Sequence, residues 1–96
     1  MIIVPYSLVR LKIADYATFK PVFDQVSPVR KAHGSKGGTL FREADSPNEV
    51  TVLLEWDNLE NARKFYQSDE VKKALQKSGN IKIDVYFLNE IEHVQA

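Results

Sequence analysis

Ninety-six residues fit one small domain with a modest core, and a chain of this size hides only about 60–70% of its unfolded surface when it folds alone. Thirteen basic and thirteen acidic residues leave no net charge, which argues against an electrostatic nucleic-acid binder, a class that shows a basic excess. A hydrophobic fraction of 44% with 27% charged residues belongs to a folded globule, and the absence of cysteine removes disulfides, thiolate catalysis and Cys-based metal sites together.

The apolar run from Met1 to Val4 ends at Pro5. It is shorter than the about 7–15 apolar residues of a signal peptide or the about 20 of a membrane span. The expectation is a cytoplasmic protein with no membrane partner. No Gly/Ser linker, charge block or repeat divides residues 1–96, which read as a single domain.

Residues 2–13 read as a strand, with Val9, Leu11 and Ile13 alternating against Leu8, Arg10 and Lys12. Pro5 lacks a ladder donor, so regular pairing is expected after it. Asp15 or Thr18 caps the helix that follows, whose stripe is Phe19, Val22, Phe23 and Val26. Pro21 favours Thr18 as the cap, because proline is tolerated in a first turn. Pro28 is expected to kink or loosen the last turn, and Gly34 to stop the helix.

Residues 37–44 read as a second strand and residues 49–56 as a third, joined by the turn Asp45-Ser46-Pro47-Asn48 into a hairpin. The third strand is largely apolar in both parities, as expected of a central strand covered on both faces. Asp57 or Asn58 caps a helix with Leu59, Ala62, Phe65 and Tyr66 on one side. Ser68 restarts the cap, and Gly79 ends the helical region. Ile81, Ile83, Val85 and Phe87 alternate with Lys82, Asp84 and Tyr86 as a fourth strand. The phase changes at Asn89, where a bulge or a tail packed elsewhere is expected.

The order β-α-β-β-α-β predicts an α+β, ferredoxin-like fold: a four-stranded antiparallel sheet with two helices on one face and the first and third strands central. The other sheet face then carries apolar residues, Tyr86 and Leu88 among them. A second copy is the expected cover, in an isologous homodimer.

Four segments carry a family resemblance. They are Phe19-Lys20-Pro21-Val22-Phe23-Asp24, His33-Gly34-Ser35-Lys36-Gly37-Gly38, Asn48 through Asp57 with its Glu55-Trp56 strand end, and Ala62-Arg63-Lys64-Phe65-Tyr66. Together they resemble the antibiotic biosynthesis monooxygenase-like family of dimeric α+β barrels. The resemblance implies a ferredoxin-like protomer that dimerises through its sheet. Some members of that family oxygenate polycyclic aromatic compounds without metal or organic cofactor, others degrade haem, and related barrels isomerise or cyclise small molecules. Haem-degrading relatives carry a Trp on the second helix and a His ligand near its end. Those places fall on Phe65 and Leu75, which cannot serve, so haem chemistry is not expected.

Candidate site residues follow. Trp56 reads as a core or pocket-lining ring whose indole N–H can orient a ligand oxygen. Tyr6, Tyr66 and Tyr86 can place hydroxyls between sheet and helices, as proton donors or weak bases. His33 is the better histidine for acid–base work, although it also suits a helix end as a simple cation. Phe65 lines the same space, and Arg42 can pair an anionic ligand. Two histidines sixty positions apart, His33 and His93, make a protein-built metal site unexpected. The segment Gly34 to Gly38 ends a helix and opens a strand, the reverse of a phosphate loop.

These residues suggest a cofactor-independent monooxygenase-like protein acting on a small aromatic or polyketide-like molecule. The alternatives are a non-catalytic dimeric small-molecule-binding module and an isomerase or cyclase of the same fold. An enclosed space of about 300 Å3 with two convergent polar groups would favour an enzyme. A space filled by Phe19, Phe23 and Phe65 would count against both enzymatic readings.

Overall fold

The computed structural model describes residues 4–96; Met1, Ile2 and Ile3, which open the apolar run and the first predicted strand, lie outside them. The element order is β1 (Val4–Ile13), α1 (Tyr16–Gln25), α2 (Ser27–Ala32), β2 (Ser35–Glu43), β3 (Ser46–Trp56), α3 (Leu59–Gln67), α4 (Asp69–Lys77) and β4 (Asn80–Glu90). The four strands form one antiparallel sheet in the order β2-β3-β1-β4, so β1 and β3 are central as expected.

Strand phase decides what lies on each face. Ser7, Val9, Leu11 and Ile13 of β1 are buried with Val50, Val52, Leu54 and Trp56 of β3, and Phe19, Ala62, Phe65 and Val71 pack on them from the helices. Burying each large apolar side chain of this set contributes about 1.5–3 kcal/mol, which makes this layer the main stabilising term. The opposite phase carries Leu8 against Leu53 and Tyr86, and Tyr6 against Glu55 and Leu88. That face has no helix. On β3 its only large apolar residue is Leu53, beside Thr51 and Glu55, so the strand is less two-sided than its composition suggests.

The first helical region departs from expectation at two points. Asp15, not Thr18, is the N-cap, and its carboxylate accepts the Thr18 backbone N–H at 2.7 Å. Pro21 therefore lies inside α1, where it cannot donate the usual i→i−4 bond. The chain breaks at Val26, and Pro28 sits in the first turn of α2, where no N–H is needed. Two short helices thus replace one kinked helix. The second helical region splits as the sequence indicates: Asn58 caps α3, and Ser68 ends α3 and caps α4.

The hairpin turn is tighter than predicted, since Glu43 already pairs with Ser46. Strand pairing also extends through Pro5 to Val4. No bulge occurs at Asn89, which pairs in register with Pro5. The irregularity lies at the other end of β4, between Lys12 and Ile13 of its partner strand. Asn89 is exposed, so a polar residue costs nothing there. Among the described residues, no helix is long and apolar enough to cross a membrane.

Candidate functional site between sheet and helices

The space between sheet and helices contains a small apolar cavity of about 60 Å3. Phe19, Phe23, Phe65, Leu54 and Leu75 supply much of its wall, and Tyr66, Arg30 and Ser78 are its polar members. Beside it, between α2 and β2, an open groove of about 760 Å3 is lined by Arg30, Lys31, Lys36, Ser27, Ser35 and Thr39 among others. Phe23, Arg30 and Leu54 line both spaces and so form their common wall.

One hydrogen-bond chain reaches the cavity. The Trp56 indole N–H donates to the Ser7 hydroxyl at 2.8 Å, and Ser7 Oγ lies 2.8 Å from the Tyr66 hydroxyl. Ser7 and Trp56 are fully buried. Ser7 Oγ thus accepts from the indole and shares one further hydrogen bond with the phenol of Tyr66, whose side chain lines the cavity.

Burial pushes the Tyr66 phenol up to about 12, and the Ser7 hydrogen bond and the Arg30 charge offset only part of that rise. Tyr66 is thus a neutral hydrogen-bond donor near pH 7 and no base. Its ring is fixed by edge contacts with Phe65 and Phe87 at centroid distances of 5.0 and 5.9 Å, and Trp56 stands 6.3 Å away.

No family model matches the chain, and no curated protein matches it. Solved structures do. SnoaB, a cofactor-independent oxygenase from Streptomyces nogalater, superposes with a TM-score of 0.77 at 14% identity over 98% of each chain. A Bordetella bronchiseptica protein provisionally named an antibiotic biosynthesis monooxygenase gives 0.77 at 18% identity, over 93% of this chain and 98% of that one. Rv0793 from Mycobacterium tuberculosis gives 0.72 at 13% identity, over 96% and 99%. The fold is that of the antibiotic-biosynthesis-monooxygenase-like proteins.

Within this monooxygenase-like fold, the predicted site residues separate. Tyr66 and Phe65 line the cavity. Trp56 does not: it lies behind them, 5.2 Å from Phe65, and acts on Tyr66 through Ser7. Tyr6 and Tyr86 are corrected to the helix-free face, because they share the phase of Leu8 and not of Val9. Arg42 lines neither space and stacks over Tyr16 at 5.0 Å. His33 also lines neither. Its Nδ1 lies 2.9 Å from the Val29 carbonyl, an acceptor only, so Nδ1 carries the proton, and its ring meets the edge of Phe65. Among the described residues no group of three or more His, Asp or Glu is placed to hold a metal ion.

Two residues of the site were not singled out from sequence, Ser7 and Arg30. Ser7 has a visible signal, a polar residue in the inward phase otherwise filled by Val9, Leu11 and Ile13. Arg30 looks like an ordinary helix-end cation. Only the fold places it against Phe23, with its guanidinium 3.9 Å from the ring centre and Nη1 donating to the Phe23 carbonyl at 2.7 Å.

Proposed function

We propose that the chain is a cofactor-independent monooxygenase-like enzyme acting on a small, electron-rich aromatic molecule. The observation that carries this reading is the Trp56–Ser7–Tyr66 chain, which holds a protonated phenol in the side chain that walls an apolar space. In the proposed reaction the substrate loses a proton and its carbanion reduces oxygen. The resulting hydroperoxide loses water, so that the substrate gains a carbonyl and the second oxygen atom leaves in water. Tyr66 donates a hydrogen bond to the oxygen on which negative charge collects, where a dry surrounding strengthens it. No carboxylate or histidine lines the cavity, which restricts substrates to those acidic enough to ionise unaided. SnoaB, named as a cofactor-independent oxygenase, supports the reading by its shared fold.

The absence of a carboxylate or histidine from the cavity lining supports a second reading, a non-catalytic small-molecule-binding module. In both readings the ligand reaches beyond the cavity, whose about 60 Å3 is below the about 300–1,000 Å3 of ligand sites. In the enzymatic reading the substrate also extends into the groove. Oxygen uptake with anthrones and quinols decides between them. Consumption that falls with Tyr66→Phe supports the enzyme; binding without consumption across the panel supports the module.

In either reading we infer a homodimer formed through the helix-free face, in a cytoplasmic protein. Phe41, Tyr86 and Leu88 are 51%, 48% and 41% exposed there, around the central row Leu53–Leu8–Tyr86. A face of this kind favours a like face as its cover.

A further inference from the structure

The groove between α2 and β2 has a one-sided charge. Arg30, Lys31 and Lys36 line it, with the hydroxyl residues Ser27, Ser35 and Thr39, and no acidic residue does. The chain as a whole carries equal numbers of acids and bases, so this concentration is local. None of the three cations forms an ion pair among the described residues.

Arg30 is the most constrained of them. One face of its guanidinium is against the Phe23 ring, and one N–H is spent on the Phe23 carbonyl. Asp24 is the acid whose charge reaches it, but both Asp24 oxygens are held by Lys20. A half-buried guanidinium held in one plane, without a carboxylate partner, is half of an ion pair. Its remaining N–H groups suit a planar carboxylate, which accepts two parallel hydrogen bonds. Phe23 and Leu54 beside it lead to the apolar cavity.

We propose that this groove selects a small amphiphilic carboxylate. The carboxylate pairs with Arg30 under the long-range attraction of Lys31 and Lys36, and the apolar ring packs on Phe23 and Leu54 toward Tyr66. The proposal rests on the reading of the sheet–helix space as a small-molecule site. It adds the charge class of the ligand and the end of the ligand that faces out.

The test is calorimetric titration of the full chain with 2-naphthoate and with its neutral isostere 2-naphthamide, under nitrogen. Naphthoate is expected to bind at least about tenfold more tightly, as a charge-assisted bidentate pair should, with affinity falling as salt is raised. Arg30→Gln should abolish the preference. The paired variant Lys31→Gln/Lys36→Gln changes only exposed side chains. It should keep the fold by circular dichroism while weakening naphthoate binding and flattening its salt dependence. Equal binding of the two probes, no binding of either, or a preference unchanged in both variants would overturn the proposal. The measurement needs neither oxygen nor turnover, so a failure of the oxygenase reading leaves its outcome unaffected.

Discussion

The Trp56 indole nitrogen lies 2.8 Å from the Ser7 hydroxyl, and both groups are completely buried. A hydroxyl on a central strand is thereby tied to the end of its neighbour. It passes the constraint on to Tyr66, fifty-nine positions further along the chain. Ser7→Ala removes two hydrogen bonds at once and strands the indole N–H. It is expected to lower stability by about 1–3 kcal/mol. Urea unfolding followed by Trp56 fluorescence checks this, since Trp56 is the only tryptophan. An unchanged midpoint would show that the bonds contribute nothing.

Tyr66 links stability to alkaline pH. Its folded value of about 12 lies above the ordinary tyrosine value near 10, which applies in the unfolded chain. Between these values the unfolded state gives up the proton first. Tyr66 therefore contributes fully below about pH 10, and its contribution of about 2–3 kcal/mol is lost as pH rises through about 12. The wild-type protein should lose that much more stability than Tyr66→Phe over this range. Denaturation midpoints at pH 8, 10 and 11.5 measure the difference. Parallel curves for the two proteins would contradict the assignment.

How much of this was legible in the sequence depends on the physics of each element. Period-two alternation in β1 and β4 and the caps at Asn58 and Ser68 are local signals, and each appears where the residues place it. The misplaced tyrosines were legible too. Tyr86 alternates against Val85 and Phe87, and Tyr6 shares the parity of Leu8, so both had to face away from the helices. The break at Val26 was not legible, because two prolines seven positions apart allow either one kinked helix or two short ones. The groove was least visible of all. Lys36 reaches the side of α2 only because β2 is an edge strand whose register shifts between Ser35 and Gly37, a fact of tertiary pairing.

Gly38 is the point where that edge admits no side chain. A Cβ there would fall 1.8 Å from the Leu53 carbonyl oxygen, a backbone atom that cannot swing aside. Gly38→Ala must push β2 away from β3 at the groove wall. It is expected to cost about 1–3 kcal/mol, in the range of an overpacked core. Naphthoate affinity should fall with it, because Gly38 and Thr39 line the groove. Gly37→Ala offers a contrast: its Cβ meets nothing within 4 Å, so its cost comes from backbone strain at φ +99° alone. Thermal unfolding of both variants, with an affinity measurement on each, separates steric displacement from strain. Equal loss of affinity in the two would contradict the steric account.

The helix-free face supplies the last prediction. Its apolar residues run across all four strands, with Leu53 and Leu8 at the centre, Tyr86 and Leu88 on one side and Phe41 on the other. Charged residues gather toward one end, where Arg10 lies across from Asp84 in the strand register and Lys12 lies between Glu49 and Lys82. The chain has no net charge, so two copies meet without overall repulsion. Leu53→Asp places a carboxylate at the centre of this face and leaves the helix-side core untouched, because Leu53 points away from Val52 and Leu54. Two such charges brought together in a like-to-like interface would be unpaired and desolvated, a cost that no rim contact offsets. Sedimentation equilibrium at micromolar concentration should give twice the 11.0 kDa chain mass for the wild type and the chain mass itself for Leu53→Asp. Circular dichroism should be the same for both. A wild-type protein that sediments as a single chain would remove the dimer from the proposal while leaving the Tyr66 cavity and the basic groove as they stand.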